Sequence, residues 1–230
     1  MVLKILKTVW PVMLTYVAIG TPCGMIMAQA GMEPWMVFAL SSTFVTGCGQ
    51  FMVCNLWLAG VPAASIVASV AAISSRFALY SASIAPHLAG ASKRQTLAVA
   101  ATLTEEAYGI SLAKLIEGQD WGPRESFALN VILIATWGVS CTTGAVVGAV
   151  VDVPTALASF VCTSLFICLL FSQRLSRGNA VAAVLAAASV AVCKFLGWTN
   201  VAVPVSVLVG VAAALVCDAL AEGRGARDAR

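Results

Sequence analysis

The chain alternates long apolar runs with short polar punctuation. Uncharged stretches cover residues 8–32, 34–75, 77–92, 126–151, 153–173, 178–193 and 195–217. About 20 mostly apolar residues span a bilayer as a helix. Breakers divide the runs at Gly31 to Pro34, Gly60 to Pro62, His87 to Lys93, Glu117 to Glu125, Asp152 with Pro154, Gln173 to Gly178, and Gly197 to Asn200. The pattern predicts eight helical spans, near 8–30, 34–58, 62–87, 95–116, 126–150, 154–172, 179–196 and 201–220. Seven spans remain possible if one segment is re-entrant. Residues 1–222 then form a single integral membrane domain, followed by a short charged tail at 223–230. The short alternating strands of a membrane barrel are absent from the pattern.

Composition sharpens this. The 230 residues are 60% hydrophobic and 10% charged, against roughly 25% charged for a soluble domain. Mean hydropathy is +0.96. The expected fold class is all-α, a polytopic transmembrane helical bundle in a lipid bilayer. A net charge of +3 with no basic-aromatic patch gives no footprint for nucleic acid. The eight cysteines lie in apolar runs without a CxxC pair, so they read as small apolar residues rather than as metal ligands or a disulfide framework. No Walker A loop, HExxH or GxSxG occurs, and Ser111-x-x-Lys114 lacks the companions that would make it catalytic. The expectation is a non-enzyme without metal or cofactor. Lys4 and Lys7 precede an apolar run, and Ala28-Gln29-Ala30 resembles a cleavage site. The run is long for a signal peptide, is interrupted by Pro11, Gly20 and Pro22, and is followed by further spans, so it reads as a retained first span.

Charge bias orients the bundle. On the eight-span count, Lys4, Lys7, Lys114, Arg124, Arg174, Arg177, Arg224, Arg227 and Arg230 share one side, and Lys93, Arg94 and Lys194 the other. Basic residues accumulate on the cytoplasmic face, which places both termini in the cytoplasm. A weak echo recurs at an offset of 120, pairing Gly24 with Gly144, Pro34 with Pro154, Thr43 with Thr163 and Cys48 with Cys168. Two related halves of this kind build many transporters. They would be parallel on the eight-span count and inverted on seven.

Arg76 stands in the middle of the third expected span, where a lipid-facing guanidinium costs about 2.5–3.5 kcal/mol on the insertion scale. It should face the bundle interior, a wet cavity or an acidic partner. Glu105 and Glu106, near the middle of the fourth expected span, are the obvious partners. Adjacent helical residues point about 100° apart, and two carboxylates in low dielectric resist ionising together. One is expected to pair with Arg76 and the other to carry a proton; the sequence leaves open which does which, and leaves a static clamp as the alternative. Gly20, Pro22 and Gly24 in the first span, and Gly47 and Gly49 beside Gln50 in the second, are expected helix breaks that line a binding cavity, or else helix-packing surfaces. His87 after Pro86 reads as an interfacial cap rather than a proton relay.

The ordered blocks Tyr16-x-x-Ile19-Gly20 with Gly24, Gly47-x-Gly49-Gln50-Phe51, Arg76-x-x-Leu79-Tyr80-Ser81-Ala82-Ser83 with Pro86-His87, and Thr104-Glu105-Glu106 cover roughly the first half of the chain. Together they resemble the AzlC-type branched-chain amino-acid permeases. The resemblance implies the large subunit of a bacterial exporter in the cytoplasmic membrane, completed by a small AzlD-type membrane subunit and driven by protons. Departures are Ser74-Ser75-Arg76-Phe77 in place of the family's Asn-x-Arg-His, Cys48 within the glycine block, and Glu105 for the usual aspartate. The expected substrate-binding residues are Gly20, Gly24, Gly47, Gly49, Gln50, Arg76 and Tyr80, with Glu105 and Glu106 as proton-coupling groups. Open alternatives are a non-transporting membrane scaffold or a permease for another small metabolite.

Overall fold

In a computed structural model of the chain, residues 1–88, 90–118, 121–150, 160, 163–164, 167, 177–198, 202, 205–206, 208–210, 212–213 and 216–217 are described. Their regular structure is helical: α1 (Val2–Gln29), α2 (Pro34–Thr43), α3 (Gly47–Leu58), α4 (Ala63–Ser74), α5 (Arg76–Ile84) followed by a 3₁₀ turn (Ala85–Leu88), α6 (Lys93–Ala101), α7 (Glu105–Ile116), α8 (Pro123–Val150) and α9 (Arg177–Phe195). Among the described residues, three helical stretches are long and apolar enough to cross a membrane: Val2–Gln29, Ala63–Leu88 and Pro123–Val150. The protein is a helical, multi-pass membrane protein. The expected segments 154–172 and 201–220 and the tail 223–230 fall largely or wholly outside the described residues, as do Pro154 and Cys168 of the sequence echo.

The chain divides into two compact units. Met1–Leu58 with Ser74–Thr163 forms the first, and Ala59–Ile73 with Ser164–Arg230 the second. The second holds most of α4 and all of α9, where Gly210 packs near Ala182 and Ala186.

The axis of the first unit is the pair α1 and α8, each 28 residues and so about 42 Å long. Buried positions on α1 run Ile5, Val9, Tyr16, Gly20, Cys23, Gly24, Ile26 and Met27. On α8 they run Ser126, Leu129, Asn130, Leu133, Trp137, Gly138, Ser140, Cys141, Gly144 and Ala145. Both occupy one broad face at helical spacing. Partners advance together: Tyr16 meets Trp137, Gly20 meets Ser140, Gly24 meets Cys141 and Ala145, and Met25 meets Gly148. The two helices therefore run in the same direction.

Their closest approach is built from glycine. A Cβ on Gly24 would collide with the Cys141 carbonyl oxygen, and one on Gly144 with the Thr21 carbonyl oxygen. Shifting by the echo's offset of 120 turns the first contact into the second, since Gly24 becomes Gly144 and Thr21 becomes Cys141. Gly20 and Gly24 on α1 pack on Ser140 and Cys141, and Gly144 and Gly148 on α8 pack on Thr21 and Met25, so two small-xxx-small motifs let the backbones touch.

This corrects one expectation. Gly20–Gly24 is not a break: α1 continues through Pro11 and Pro22. Proline is tolerated in membrane helices where neighbouring groups satisfy the freed backbone, and α8 packs against this turn through Thr21 and Gly24.

Two other segments do break. Residues 34–58, expected as one span, form α2 and α3 around Phe44–Thr46; residues 95–116, also expected as one, form α6 and α7 around Thr102–Thr104. Runs of Ser, Thr and β-branched residues offer the backbone alternatives to helix, as in Ser41-Ser42-Thr43-Phe44-Val45-Thr46 and Thr102-Leu103-Thr104. Each restart is capped alike. Thr46 Oγ1 accepts from Gly49 N at 3.2 Å and Thr104 Oγ1 from Ala107 N at 3.2 Å. Glu105 and Glu106 consequently stand in the first turn of α7, not in mid-helix.

Gly24→Leu is expected to abolish the α1–α8 approach, because its obstruction is a backbone carbonyl that no rotamer change relieves. Overpacking of this kind costs about 1–3 kcal/mol or more. Gly109→Ala, on α7 with nothing within 4 Å of the added methyl, is expected to be neutral or to stabilise by up to about 1 kcal/mol. Thermal denaturation in detergent, followed by size-exclusion chromatography, checks both.

Candidate functional site

The two helix restarts come together across the α1–α8 stem. Gln50, fully buried one turn into α3, makes three hydrogen bonds. Its Oε1 accepts from Trp137 Nε1 at 3.1 Å and from Ser41 Oγ at 3.1 Å, and its Nε2 donates to the Phe44 carbonyl at 2.7 Å. One side chain thus holds the Phe44 carbonyl at the end of α2 and ties α2, α3 and α8 together. A Cβ on Gly47 would lie 3.0 Å from the Trp137 ring, so the start of α3 rests on that indole.

Trp137 meets Tyr16 edge to face, with centroids 5.3 Å apart. The buried Tyr16 hydroxyl donates to Glu106 Oε2 at 2.6 Å, and Thr104 Oγ1 lies 3.3 Å from the same phenol oxygen. A polar and aromatic chain therefore runs from the Phe44–Thr46 break through Gln50, Trp137 and Tyr16 to the Thr102–Thr104 break. The second break has its own clasp on α8: Asn130 Nδ2 donates to the Val99 carbonyl at 3.1 Å and bonds Thr102 Oγ1 at 3.0 Å.

Arg76 opens α5 beside this chain. Its Nη2 contacts Glu105 Oε2 at 2.6 Å, and both side chains keep just over a quarter of their surface exposed. Arg76 Nε is buried without a partner among the described residues. Cys48, in the first turn of α3, lies close to the guanidinium. One turn on, Tyr80 stacks on Tyr108 of α7 with centroids 4.6 Å apart, and Tyr108 and Ser83 share a hydrogen bond at 3.0 Å.

Which glutamate meets Arg76 is now clear: Glu105 does, while Glu106 takes the tyrosine. The two carboxylates leave α7 in different directions, as consecutive helical positions must. Both also sit at a helix N-terminus, whose dipole presents about half a positive charge to them. The group thus combines one guanidinium, two carboxylates and the starts of two half-length helices, an arrangement suited to a small molecule with charges of both signs.

Of the expected site residues, Gln50, Arg76, Tyr80, Glu105 and Glu106 are brought into this neighbourhood, with Gly47 at its edge. Gly49 packs on Thr46 and Phe44, and Gly20 and Gly24 belong to the helix crossing. Sequence reasoning missed Trp137, the bridge between the two breaks, because a lone tryptophan in an apolar helix carries no local signal. It also passed over the capping threonines, although a threonine followed by two acidic residues inside an apolar run is a helix-start signature.

Tyr16→Phe is expected to keep the ring on Trp137 and leave Glu106 without its donor. Buried hydrogen bonds in membrane proteins are worth about 0.6–2 kcal/mol, so a small loss of thermal stability should accompany a disproportionate loss of function. Comparing the change in melting temperature with the change in activity for that variant checks this.

No curated protein and no solved structure matches the chain significantly. The family model described as AzlC protein matches residues 11–151, a region that contains both breaks, the glycine crossing and every charged group of the site. This multi-pass membrane protein belongs to the AzlC family, a transport-associated family linked to branched-chain amino acids.

Proposed function

We propose that this protein is the large subunit of a secondary transporter that exports branched-chain or similar small apolar amino acids across the bacterial cytoplasmic membrane. Export is coupled to protons, and a small AzlD-type membrane subunit completes the carrier. Both termini lie in the cytoplasm.

The observation that carries this reading is the Arg76–Glu105 ion pair standing beside the Glu106–Tyr16 hydrogen bond at two helix starts. The pair binds charge of both signs. The guanidinium and the start of α3 receive the substrate carboxylate, and a carboxylate receives its ammonium group. A static clamp needs one acid; the second, held by a phenol, is the group free to exchange a proton as the substrate rearranges the pair. The aliphatic side chain is selected by apolar packing, which discriminates single methylenes by about 1–3 kcal/mol. Overlapping substrates follow. No metal or cofactor enters this scheme.

Inside-out vesicles containing the chain with its small partner provide the test. Labelled leucine or valine should accumulate on imposition of a proton gradient. Arg76→Ala should lower the rate by more than tenfold while the protein remains in the membrane, and Glu106→Gln should flatten the dependence on pH. Normal export by Arg76→Ala would overturn the site, and no flux from the paired wild-type subunits would favour the scaffold reading.

A further inference from the structure

The path of α6 and α7 is at odds with a membrane crossing. Contacts between α5 and α7 advance together: Arg76 with Glu105, Tyr80 with Tyr108. These two helices therefore run in the same direction, and the segment joining them must turn back. Beyond the 3₁₀ turn, Leu88 belongs to one apolar cluster with Ile84, Val99 and Leu103, against which Ala91, Tyr108 and Leu115 pack. A cavity of about 430 Å³ is lined by His87, Gly90 and Gln95 from the start of this segment and by Leu115, Trp121 and Arg124 from its end. The two loops that a single span would hold on opposite faces of the bilayer thus meet at one end of the unit.

Length agrees. The nine residues of α6 rise about 13 Å and the twelve of α7 about 18 Å, each about half of a hydrocarbon core near 30 Å. Asn130, two turns into α8, holds the turn between them at Val99 and Thr102. Non-helical backbone at such depth is tolerated where protein buries it, and Leu103 and Thr104 are buried.

We propose that residues 93–116 form a re-entrant hairpin, which enters from and returns to the face carrying Lys4 and carries Glu105 and Glu106 on its tip. Lys4 lies 6.0 Å from the centroid of the Trp121 ring, which marks that face as the one where α1 and α8 begin.

Charge supports the assignment independently. Lys93 and Arg94, which an eight-span count places opposite the other basic residues, move to the face of Lys4, Lys7, Lys114 and Arg124. Every basic residue of the first 150 other than Arg76 then lies on one side, with Glu33 in the loop on the other. That is the asymmetry expected of a cytoplasmic face.

The unaltered chain tests this through its own lysines. A membrane-impermeant amine acylator applied to intact cells, with mass spectrometry at Lys93 and Lys114, should leave both unmodified; both should react in inside-out vesicles. Cysteine placed by Ser92→Cys and Glu117→Cys, labelled with an impermeant maleimide against the unsubstituted chain as blank, should show the same pairing, and Met32→Cys the opposite one. Reaction of position 92 or 93 from outside while 114 or 117 reacts only from inside would overturn the hairpin. This result is independent of which solute is carried, so it stands or falls apart from the transport assay.

Discussion

A helix that stops halfway across a bilayer leaves backbone groups where water does not reach them, and each unsatisfied group costs several kcal/mol. The structure depends on how α3 and α7 meet that demand. Threonine hydroxyls cap both starts. Gln50 takes the carbonyl of Phe44, and Asn130 takes that of Val99. These side chains are in turn held by α8, through Trp137 and through the helix that bears Asn130. The α1–α8 stem is what allows the interruptions to exist, and the interruptions are what bring charge to the interior.

The stem meets a different demand. Two long apolar helices in lipid gain nothing from hydrophobic burial against each other; close van der Waals contact must hold them. Glycine at positions 20, 24, 144 and 148 supplies it. Gly24 against Cys141 and Gly144 against Thr21 are reciprocal contacts between positions 120 residues apart. The same rigid contact fixes Tyr16 against Trp137, and so sets where Glu106 is held.

Much of this was legible in the sequence, and the gaps have identifiable causes. Apolar run length gave the membrane class, and the isolation of Arg76 among uncharged residues gave the ion pair with its acidic partners. The glycines at 20 and 24 were misread as a break because glycine serves both bending and close packing, and only the opposing helix decides between them. Segment 95–116 shows the converse: hydropathy registers total apolar length and does not reveal that the stretch is divided into α6 and α7. Thr104-Glu105-Glu106 contained the missing information, since a cap followed by acidic residues marks a helix start even inside an apolar run. Trp137 and Asn130 act across more than 25 residues of sequence and have no local signature.

On the proposed function, the substrate sits between the start of α3 and the Arg76–Glu105 pair, next to Cys48. Alkylation of Cys48 by a membrane-permeant maleimide, read by peptide mass spectrometry with and without saturating leucine, tests that placement most directly. Leucine or valine should slow modification of Cys48 several-fold while lysine and glutamate leave it unchanged. Equal rates under all four conditions, in protein that transports leucine, would contradict it.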